Sequence, residues 1–316
     1  MITATEHTPY LVVPFFGQAL GEAIENKPII IKIDLNNKLV GEAITDNNGE
    51  IKEILSLCQI NGGAYWSRND GNIHAPSGFS TIDVLYTLGD IGVKINDFET
   101  VRNAIDFLFN YYDGKGSFKY APKSAKLPCI TARILAALGK LGYQNDYRVE
   151  ECYRHFLETQ QNDGGWRCAM TKRGLTPETD ASNPGTTLYA LDAFQFRKNP
   201  ELDQIQLNNA ISFLLKHWET RLPLGPCRFG IGSQFLAIEY PFLRYNLFYY
   251  VYVLSKYEKA REDSRYQEAL VALRKKAIEN KIFPETPHKS WSKYSFAQKN
   301  QYSENATKRF VEIIGN

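Results

Sequence analysis

The stretch Leu-Gly-Asp-Ile-Gly at residues 88–92 decides the fold, because it returns as Leu-Gly-Lys-Leu-Gly at 138–142. Each copy ends an apolar run with helical spacing, at 81–88 in the first case and at 131–138 in the second. Glycine is favoured just beyond a helix end, since the left-handed backbone conformation found there costs least without a Cβ atom. The recurrence therefore predicts two copies of one helical unit, roughly fifty residues apart.

A second helix follows each of these runs. Its mark is one apolar stripe at positions i, i+3, i+4 and i+7, which is the spacing of residues on a single helix face. The stripe occurs as Val101, Ala104, Ile105, Leu108; as Val149, Cys152, Tyr153, Phe156; as Leu207, Ala210, Ile211, Leu214; and as Tyr266, Ala269, Leu270, Leu273. The chain is therefore predicted to repeat a helical hairpin.

The patterns also give coarse helix boundaries. The predicted pairs are 78–89 with 98–111, 127–140 with 146–161, 185–197 with 203–218, and 242–259 with 263–280. Residues 50–58 are predicted as the second helix of an incomplete first hairpin, and a last helix is predicted at 304–314. A two-helix unit cannot bury both of its faces alone, so the hairpins must stack on one another.

The N-terminal part of the chain has a different pattern. The stretches 29–33 and 39–44 flank Asn36-Asn37 and predict a small β-hairpin. We therefore expect a single all-α domain over residues 1–316, with an N-terminal extension at 1–49 and hairpin repeats at 50–316.

The amino-acid composition limits the kinds of binding partner that we expect. Of the 316 residues, 43% are hydrophobic and 23% are charged, which is typical of a globular protein and not of a disordered one. A net charge of +2 forces no basic face, so we expect no nucleic-acid partner. The 19 Tyr, 18 Phe and 4 Trp suit a core, an interface or the wall of a pocket for a large apolar ligand.

The cysteines and the apolar stretches give an expectation for the cellular location of the protein. The five cysteines are widely spaced and form no C-x-x-C pair, so reduced thiols in a cytoplasmic protein are expected. The N-terminus has no basic segment before its short apolar run, and it does not resemble a signal peptide. The most apolar stretch elsewhere, 242–254, is shorter than a membrane span.

A loop motif suggests how the hairpins are arranged. Residues 160–166, Gln-Gln-Asn-Asp-Gly-Gly-Trp, fit Q-x-x-D-G-G-W, and residues 59–66 are a looser copy. The motif resembles the repeat of squalene–hopene cyclases, oxidosqualene cyclases and the β subunits of protein prenyltransferases, and the resemblance extends over about 50–315. It implies an α/α toroid, a ring of hairpins around a central cavity, in which Gln and Trp bind neighbouring hairpins together. An open helical solenoid, with Gly-Gly-Trp as a turn and a core aromatic, is the alternative.

The acidic motifs of those cyclases are missing. Neither D-x-D-D nor D-C-T-A-E occurs in this sequence. The candidate acids are therefore Asp83, within the apolar run 80–85, and Asp180, within Glu-Thr-Asp at 178–180. A carboxylate at position 83 is costly to bury unless it is paired or protonated, with Arg133 or Arg244 as a partner. Asp83 is thus a catalytic acid or half of a structural ion pair, and Asp180 is an acid or a helix cap.

A zinc site is not expected. Protein prenyltransferases need Asp, Cys and His ligands, but Gly225 stands where the resemblance would place the Asp before Cys227. We therefore predict no metal and no cofactor.

The ligand-binding candidates come from the resemblance, which places the N-terminal ends of the inner helices at the cavity. They are His74, Cys129, Arg133, Tyr189, Arg244, Tyr245 and Tyr249. Aromatic rings in 240–252 could stabilise a carbocation or simply pack. A fixed cation at Arg244 would oppose a carbocation but would suit a diphosphate or carboxylate head group.

Three functions remain open at this point. The first is a terpenoid-cyclase-like toroid that binds an apolar, isoprenoid small molecule in its central cavity, with or without catalysis. The second is a non-catalytic binding or interaction protein on the same scaffold. The third is a carbohydrate-active toroid in which Trp66 and Trp166 stack on sugars and paired carboxylates do acid–base work. A peripheral contact with a membrane surface is compatible with the isoprenoid interpretation.

Overall fold

A computed structural model describes residues 10–13, 29–33, 39–41, 48–59, 65–198 and 203–315. The chain divides into two compact units, Met1–Lys52 and Glu53–Asn316. In the first unit, strands β1 (Tyr10–Val13), β2 (Ile29–Ile33) and β3 (Leu39–Gly41) form an antiparallel sheet in that order. Strands β2 and β3 are the two strands of the predicted hairpin, with Ile31 opposite Gly41. Residues 42–44, the predicted end of the second strand, lie outside the described residues.

The remaining regular structure is helical. The helices are α1 (Asn48–Ser56), α2 (Thr81–Asp90), α3 (Glu99–Phe109), α4 (Pro128–Leu141), α5 (Tyr147–Thr159), α6 (Pro177–Asp180), α7 (Pro184–Phe194), α8 (Gln204–Thr220), α9 (Ser233–Leu236), α10 (Leu247–Leu254), α11 (Glu258–Arg261), α12 (Ser264–Arg274) and α13 (Glu304–Gly315). The four predicted hairpins are α2 with α3, α4 with α5, α7 with α8, and α10 with α12.

One predicted helix is much shorter than expected. The sequence predicted 242–259, whereas α10 spans only Leu247–Leu254. Asn246 caps the helix, because its side chain accepts a 3.0 Å hydrogen bond from the backbone N–H of Tyr249. Arg244 therefore lies before the helix and not within it, and its side chain is exposed.

The hairpins form two layers. Helices α2, α4, α7 and α10 are the inner layer, and nearly all of their residues are buried on every side. Their continuous apolar character follows from this burial. Helices α3, α5, α8 and α12 form the outer layer, and every residue of the four predicted stripes is buried. The predicted stripes are therefore confirmed.

The second unit is an α/α toroid. Its packing runs from α2 to α4, then to α7, α10 and α13. Two contacts between the C-terminal region and the α2 region close the ring: Arg309 Nε lies 3.2 Å from Asp90 Oδ1, and Trp291 Nε1 donates to the Gly78 carbonyl at 2.5 Å. The predicted fold class, an all-α toroid, is confirmed.

The Gly-Gly-Trp loop holds three elements together. The Trp166 indole donates a 2.8 Å hydrogen bond to the Phe156 carbonyl in α5. Thr187 Oγ1 in α7 accepts from the Trp166 backbone N–H at 3.2 Å. The Gln160 amide donates to the Gln206 carbonyl in α8 at 2.7 Å. The loop thus connects its own outer helix with both helices of the next hairpin.

The space between the inner helices is filled by polar side chains. Lys140 Nζ lies 2.8 Å from Asp90 Oδ1, and the Tyr240 hydroxyl donates to Asp90 Oδ2 at 2.7 Å. Farther along, the hydroxyls of Tyr86 and Tyr249 both donate to Asp192, at 2.7 and 2.5 Å. These contacts join the inner helices across the centre of the ring.

Candidate ligand-binding cleft

An open cleft of about 700 Å³ is formed mainly by residues of 221–245, the segment between α8 and α10. Tyr189 of α7 and Phe235 of α9 line it, together with Tyr245, which comes just before α10. The rings of Phe235 and Tyr245 lie 4.9 Å apart, and Phe229 meets Tyr245 edge-on at 5.5 Å. The floor of the cleft is therefore aromatic and apolar, which suits a hydrocarbon chain.

A tight turn over residues 224–229 forms one wall. Leu224 and Phe229 exchange backbone hydrogen bonds of 2.9 and 3.0 Å. Between them, Gly225 has a φ of +73°, and a Cβ atom there would lie only 2.9 Å from the Cα of Asn183. Glycine is required at this position by both the backbone conformation and the lack of space.

His217 of α8 fixes this wall to the floor. Its Nε2 lies 3.0 Å from the carbonyls of Leu222 and Phe229, and its Nδ1 lies 2.9 Å from the Tyr245 hydroxyl. Since carbonyl oxygens only accept, Nε2 bears the hydrogen and Nδ1 accepts from Tyr245. Burial lowers the pKa of His217, which keeps the ring neutral and this arrangement intact at neutral pH.

Three arginines give the cleft a positive rim. Arg221, Arg228 and Arg244 all line it and all are exposed. Within the described part of the chain, Arg221 and Arg228 form no ion pair, while Arg244 Nε lies 2.7 Å from Glu239 Oε2. Guanidinium groups placed in this way suit an anionic group with several oxygens.

Glu239 is the one carboxylate among the described residues that line the cleft. It is 3% exposed, and its Oε1 has no hydrogen-bond partner in the described ranges. Burial raises its pKa to about 7, although Arg244 and Arg133 act in the opposite direction and Asp83 adds to the rise. The side chain can therefore take up or release a proton near neutral pH.

We expect this titration to appear in the stability of the protein. The folded chain keeps a proton on Glu239 from pH 4.5 to about 7, a range in which the unfolded chain has released it. The native state binds more protons there, so the free energy of unfolding falls as pH rises, by about 3 kcal/mol. Glu239→Gln cannot bind this proton. Its free energy of unfolding should therefore rise relative to that of the unmodified chain between pH 4.5 and about pH 8.

Urea unfolding of both proteins at the two pH values measures the effect. Glu258→Gln, which changes an exposed carboxyl, is the control and should follow the unmodified chain. If the difference in stability between the chain and Glu239→Gln is the same at both pH values, the raised pKa is wrong.

The structure pairs two of the predicted site residues. Asp83 accepts hydrogen bonds from the backbone of Gly78 and Ser80 and from the Ser80 hydroxyl, and it forms a capping box at the start of α2. Its Oδ1 lies 3.6 Å from Arg133 Nη2, and both side chains are about 5% exposed. These contacts fix the Asp83 carboxylate at the start of α2, and the ion pair joins α2 to α4.

Arg133 also occupies the aromatic faces nearest to it. Its guanidinium lies 4.0 Å from the centre of the Tyr86 ring and 5.2 Å from that of Tyr189. Tyr189 stacks on Tyr249 at 5.9 Å, so these predicted residues do come together. A cation already lies over the rings that a carbocation would need, which favours a binding role for them.

The other predicted residues have separate positions. His74 lies near Asp83 and Arg133, and desolvation lowers the pKa of its imidazole, while Asp83 acts in the opposite direction. Burial raises the pKa of Cys129 to about 12. Asp180 is at the end of α6, where its carboxylate accepts from the Gly174 backbone and faces Arg167 at 3.5 Å.

Sequence reasoning missed several residues that line the cleft. These are Glu239, Arg221, Arg228, Phe229 and Phe235. A signal was present for Arg228 and Phe229, which lie in 222–231, a degenerate copy of the loop motif in which Phe229 follows Trp166 by 63 residues.

Two searches of the described residues gave no positive result. No helix in the described ranges has the length and hydropathy needed to cross a membrane. Nor does any group of three or more His, Cys, Asp or Glu side chains in this part of the chain suit a metal ion.

Comparison with known proteins gave structural matches only. No protein-family model matches the sequence, and no curated protein does. The fold is similar to the type II terpene cyclase MstE from Scytonema in its apo form, at 13% identity and a TM-score of 0.47, covering 86% of this chain and 81% of that one. MstE with its product, merosterolic acid A, matches at 13% identity and a TM-score of 0.42, covering 87% and 76%. MstE with its substrate, geranylgeranyl dihydroxybenzoate, gives the same identity and TM-score, covering 86% and 74%.

Proposed function

We propose that this protein binds an amphipathic anion, an isoprenoid chain with an acidic head group, in the cleft beside the inner helices. The observation that supports this most strongly is the juxtaposition of an aromatic floor with a rim of three arginines. An apolar ligand alone would not need the rim, and a small anion would not need the floor.

The hydrocarbon chain would lie on the aromatic floor. Tyr189, Phe235 and Tyr245 line the cleft there, and Ile231 adds a further apolar side chain. Each methylene that leaves water for this surface contributes about 0.8 kcal/mol. A chain of isoprene units could therefore gain several kcal/mol without any polar contact.

The head group would bind to the arginine rim. Arg221 and Arg228 have no carboxylate partner among the described residues, so an anion would not have to displace one. Arg244 is paired with Glu239, whose pKa of about 7 leaves it partly protonated at neutral pH. Protonation of Glu239 would release Arg244 to the ligand.

The proposal concerns binding and includes no catalytic step. Asp83 is engaged by the Ser80 hydroxyl and by Arg133, and Arg133 lies over the aromatic rings that cation chemistry would use. Catalysis by Asp83 or Asp180 stays a prediction from the sequence. Glu239 is the carboxyl best placed to exchange a proton with a bound ligand.

The carbohydrate alternative loses the feature on which it rested. Trp66 and Trp166 are 0% and 1% exposed, so neither indole presents a face to a sugar. Glu239 also faces no second carboxylate among the described residues that line the cleft.

Calorimetry with two ligands of equal chain length separates binding of the hydrocarbon chain from binding of the charged head group. We expect geranylgeranyl diphosphate to bind more tightly than geranylgeraniol, which lacks the charged head. Arg228→Ala should weaken the diphosphate by about tenfold and leave the alcohol unchanged, because it removes one charge-assisted contact. Phe235→Ala should weaken both ligands equally.

Arg154→Ala is the matched control, since Arg154 is an exposed arginine on α5 that does not line the cleft. This variant should bind both ligands as the unmodified chain does. If neither ligand binds, or if the diphosphate and the alcohol bind equally well, the proposal is wrong.

A further inference from the structure

A second apolar groove lies next to the cleft, and we call it the side groove. It has a volume of about 300 Å³, and its apolar lining comes from four helices: Trp218 of α8, Leu236 of α9, Leu247 of α10, and Val271 and Ala272 of α12. Val271 is 49% exposed, so a ligand can reach its side chain. Neither the contacts that close the ring nor the proposed contacts with the isoprenoid chain use this groove.

An aromatic wall separates the side groove from the cleft. Phe235 lines the cleft, Trp218 lines the side groove, and the centres of their rings lie 6.4 Å apart. Tyr250 supports both, since its ring stacks on Trp218 at 6.0 Å and meets Phe235 edge-on at 5.9 Å. The cleft and the side groove therefore adjoin each other across one packed pair of rings.

Arg221 lines both the cleft and the side groove. It follows the last residue of α8, where its backbone N–H donates to the His217 carbonyl at 2.8 Å. Its guanidinium lies 5.2 Å from the centre of the Trp218 ring, and it forms no ion pair within the described part of the chain. A positive charge therefore lies where the two apolar surfaces meet.

The edge of the side groove is also positive. Lys275 and Lys276 follow α12 and line the groove. Lys276 Nζ lies 2.9 Å from Glu285 Oε1, whereas Lys275 has no ion pair among the residues that the structure describes. Glu268 is the one carboxylate among the described lining residues, and it accepts a 3.3 Å hydrogen bond from the Trp218 indole. With Arg221, three cations thus face one carboxylate, which favours an anion here.

We propose that the site takes an anionic lipid with two hydrocarbon chains, a phosphate ester whose head group binds to Arg221 while one chain lies in the cleft and the other in the side groove. This inference rests on the proposed function and specifies the class of its ligand. Two apolar grooves that meet at a cation match two chains that meet at an anion. A single long chain laid across both grooves would cover the Arg221 guanidinium, and burying a charge without a partner is costly.

Calorimetry with two short-chain lipids that share a head group tests this inference. Dihexanoyl phosphatidic acid has two chains and hexanoyl lysophosphatidic acid has one, and both are used below the concentrations at which they form micelles. We expect the two-chain lipid to bind at least about tenfold more tightly, because its second chain also leaves water. Arg221→Ala should weaken both lipids by about tenfold, since both lose a charge-assisted contact.

Two matched variants locate the second chain. Val271→Gln places a neutral amide in the side groove and should weaken only the two-chain lipid, by about tenfold, since the amide loses water when a chain covers it. Val311→Gln is the control, because Val311 is 51% exposed on α13 and lines neither groove. Phe235→Ala, in the cleft, should weaken both lipids.

Geranylgeranyl diphosphate, measured in the same way, tests the proposed function separately. If it binds but the two-chain lipid binds no more tightly than the one-chain lipid, the inference is wrong and the proposed function stands. The same conclusion follows if Val271→Gln weakens both lipids equally or neither of them. Lack of binding by all three ligands would overturn the inference together with the proposed function.

Discussion

Lys140→Met is expected to lower the free energy of unfolding by about 3–5 kcal/mol, because it leaves a buried carboxylate without its main partner. The Asp90 side chain is fully buried, and Lys140 lies 2.8 Å from it. Burial alone would raise the pKa of Asp90, but Lys140 and Arg309 lower it to about 2, so it is charged at neutral pH. Arg309 and Tyr240 would remain as partners, and they replace only part of the interaction.

A double-variant cycle separates the ion pair from the loss of the lysine. Asp90→Asn combined with Lys140→Met removes both charges and should be more stable than Lys140→Met alone, with a coupling of at least about 2 kcal/mol. Lys216→Met, at an exposed lysine, is the control and should change stability by less than about 0.5 kcal/mol. Additive effects of the two changes in urea unfolding would mean that the ion pair does not hold the ring together.

Trp166→Ala is expected to cost about 3–5 kcal/mol of stability, the usual range for a buried tryptophan. The side chain is 1% exposed, packs edge-on against Phe156 at 5.5 Å and stacks on Phe194 at 6.3 Å. Its indole also donates to the Phe156 carbonyl. The change therefore leaves a cavity between two hairpins and removes the indole's hydrogen bond to the last turn of α5.

Thermal and urea unfolding measure this loss. Trp166→Phe keeps most of the volume and should cost clearly less than the alanine variant. Tyr147→Ala, at an aromatic residue that is 72% exposed, should be nearly neutral. A cost below about 1 kcal/mol for Trp166→Ala would show that the loop is not a joint between hairpins.

The outer helices were predictable because their signal is local. The spacing of apolar residues indicates which face of a helix is buried. In α5 this stripe is Val149, Cys152, Tyr153 and Phe156, and all four residues are buried. The inner helices were predictable in position but not in length, since an apolar run buried on all sides has no face that marks its ends. At α10, the cap at Asn246 set the start, and the aromatic residues before it belong to a turn.

Closure of the ring could be expected only from the resemblance. No local pattern reveals that Arg309 reaches Asp90 or that Trp291 bonds to the carbonyl of Gly78, because these partners are about two hundred residues apart. Long-range pairs of this kind depend on the angle between successive hairpins, which the sequence does not display.

The sequence predicted only part of the cleft, because the other part depends on contacts between residues that are distant in the sequence. Tyr189, Arg244 and Tyr245 were selected from their expected places on inner helices, and all three line the cleft. Glu239 was missed because its raised pKa comes from burial by residues that are distant in the sequence.

A crystal structure of the chain with geranylgeranyl diphosphate would test the central claim most directly. We predict density for the isoprenoid chain along Tyr189, Phe235 and Tyr245, with diphosphate oxygens within hydrogen-bond distance of Arg221 or Arg228. An unchanged, empty cleft at saturating ligand, or a ligand bound elsewhere on the protein, would contradict it.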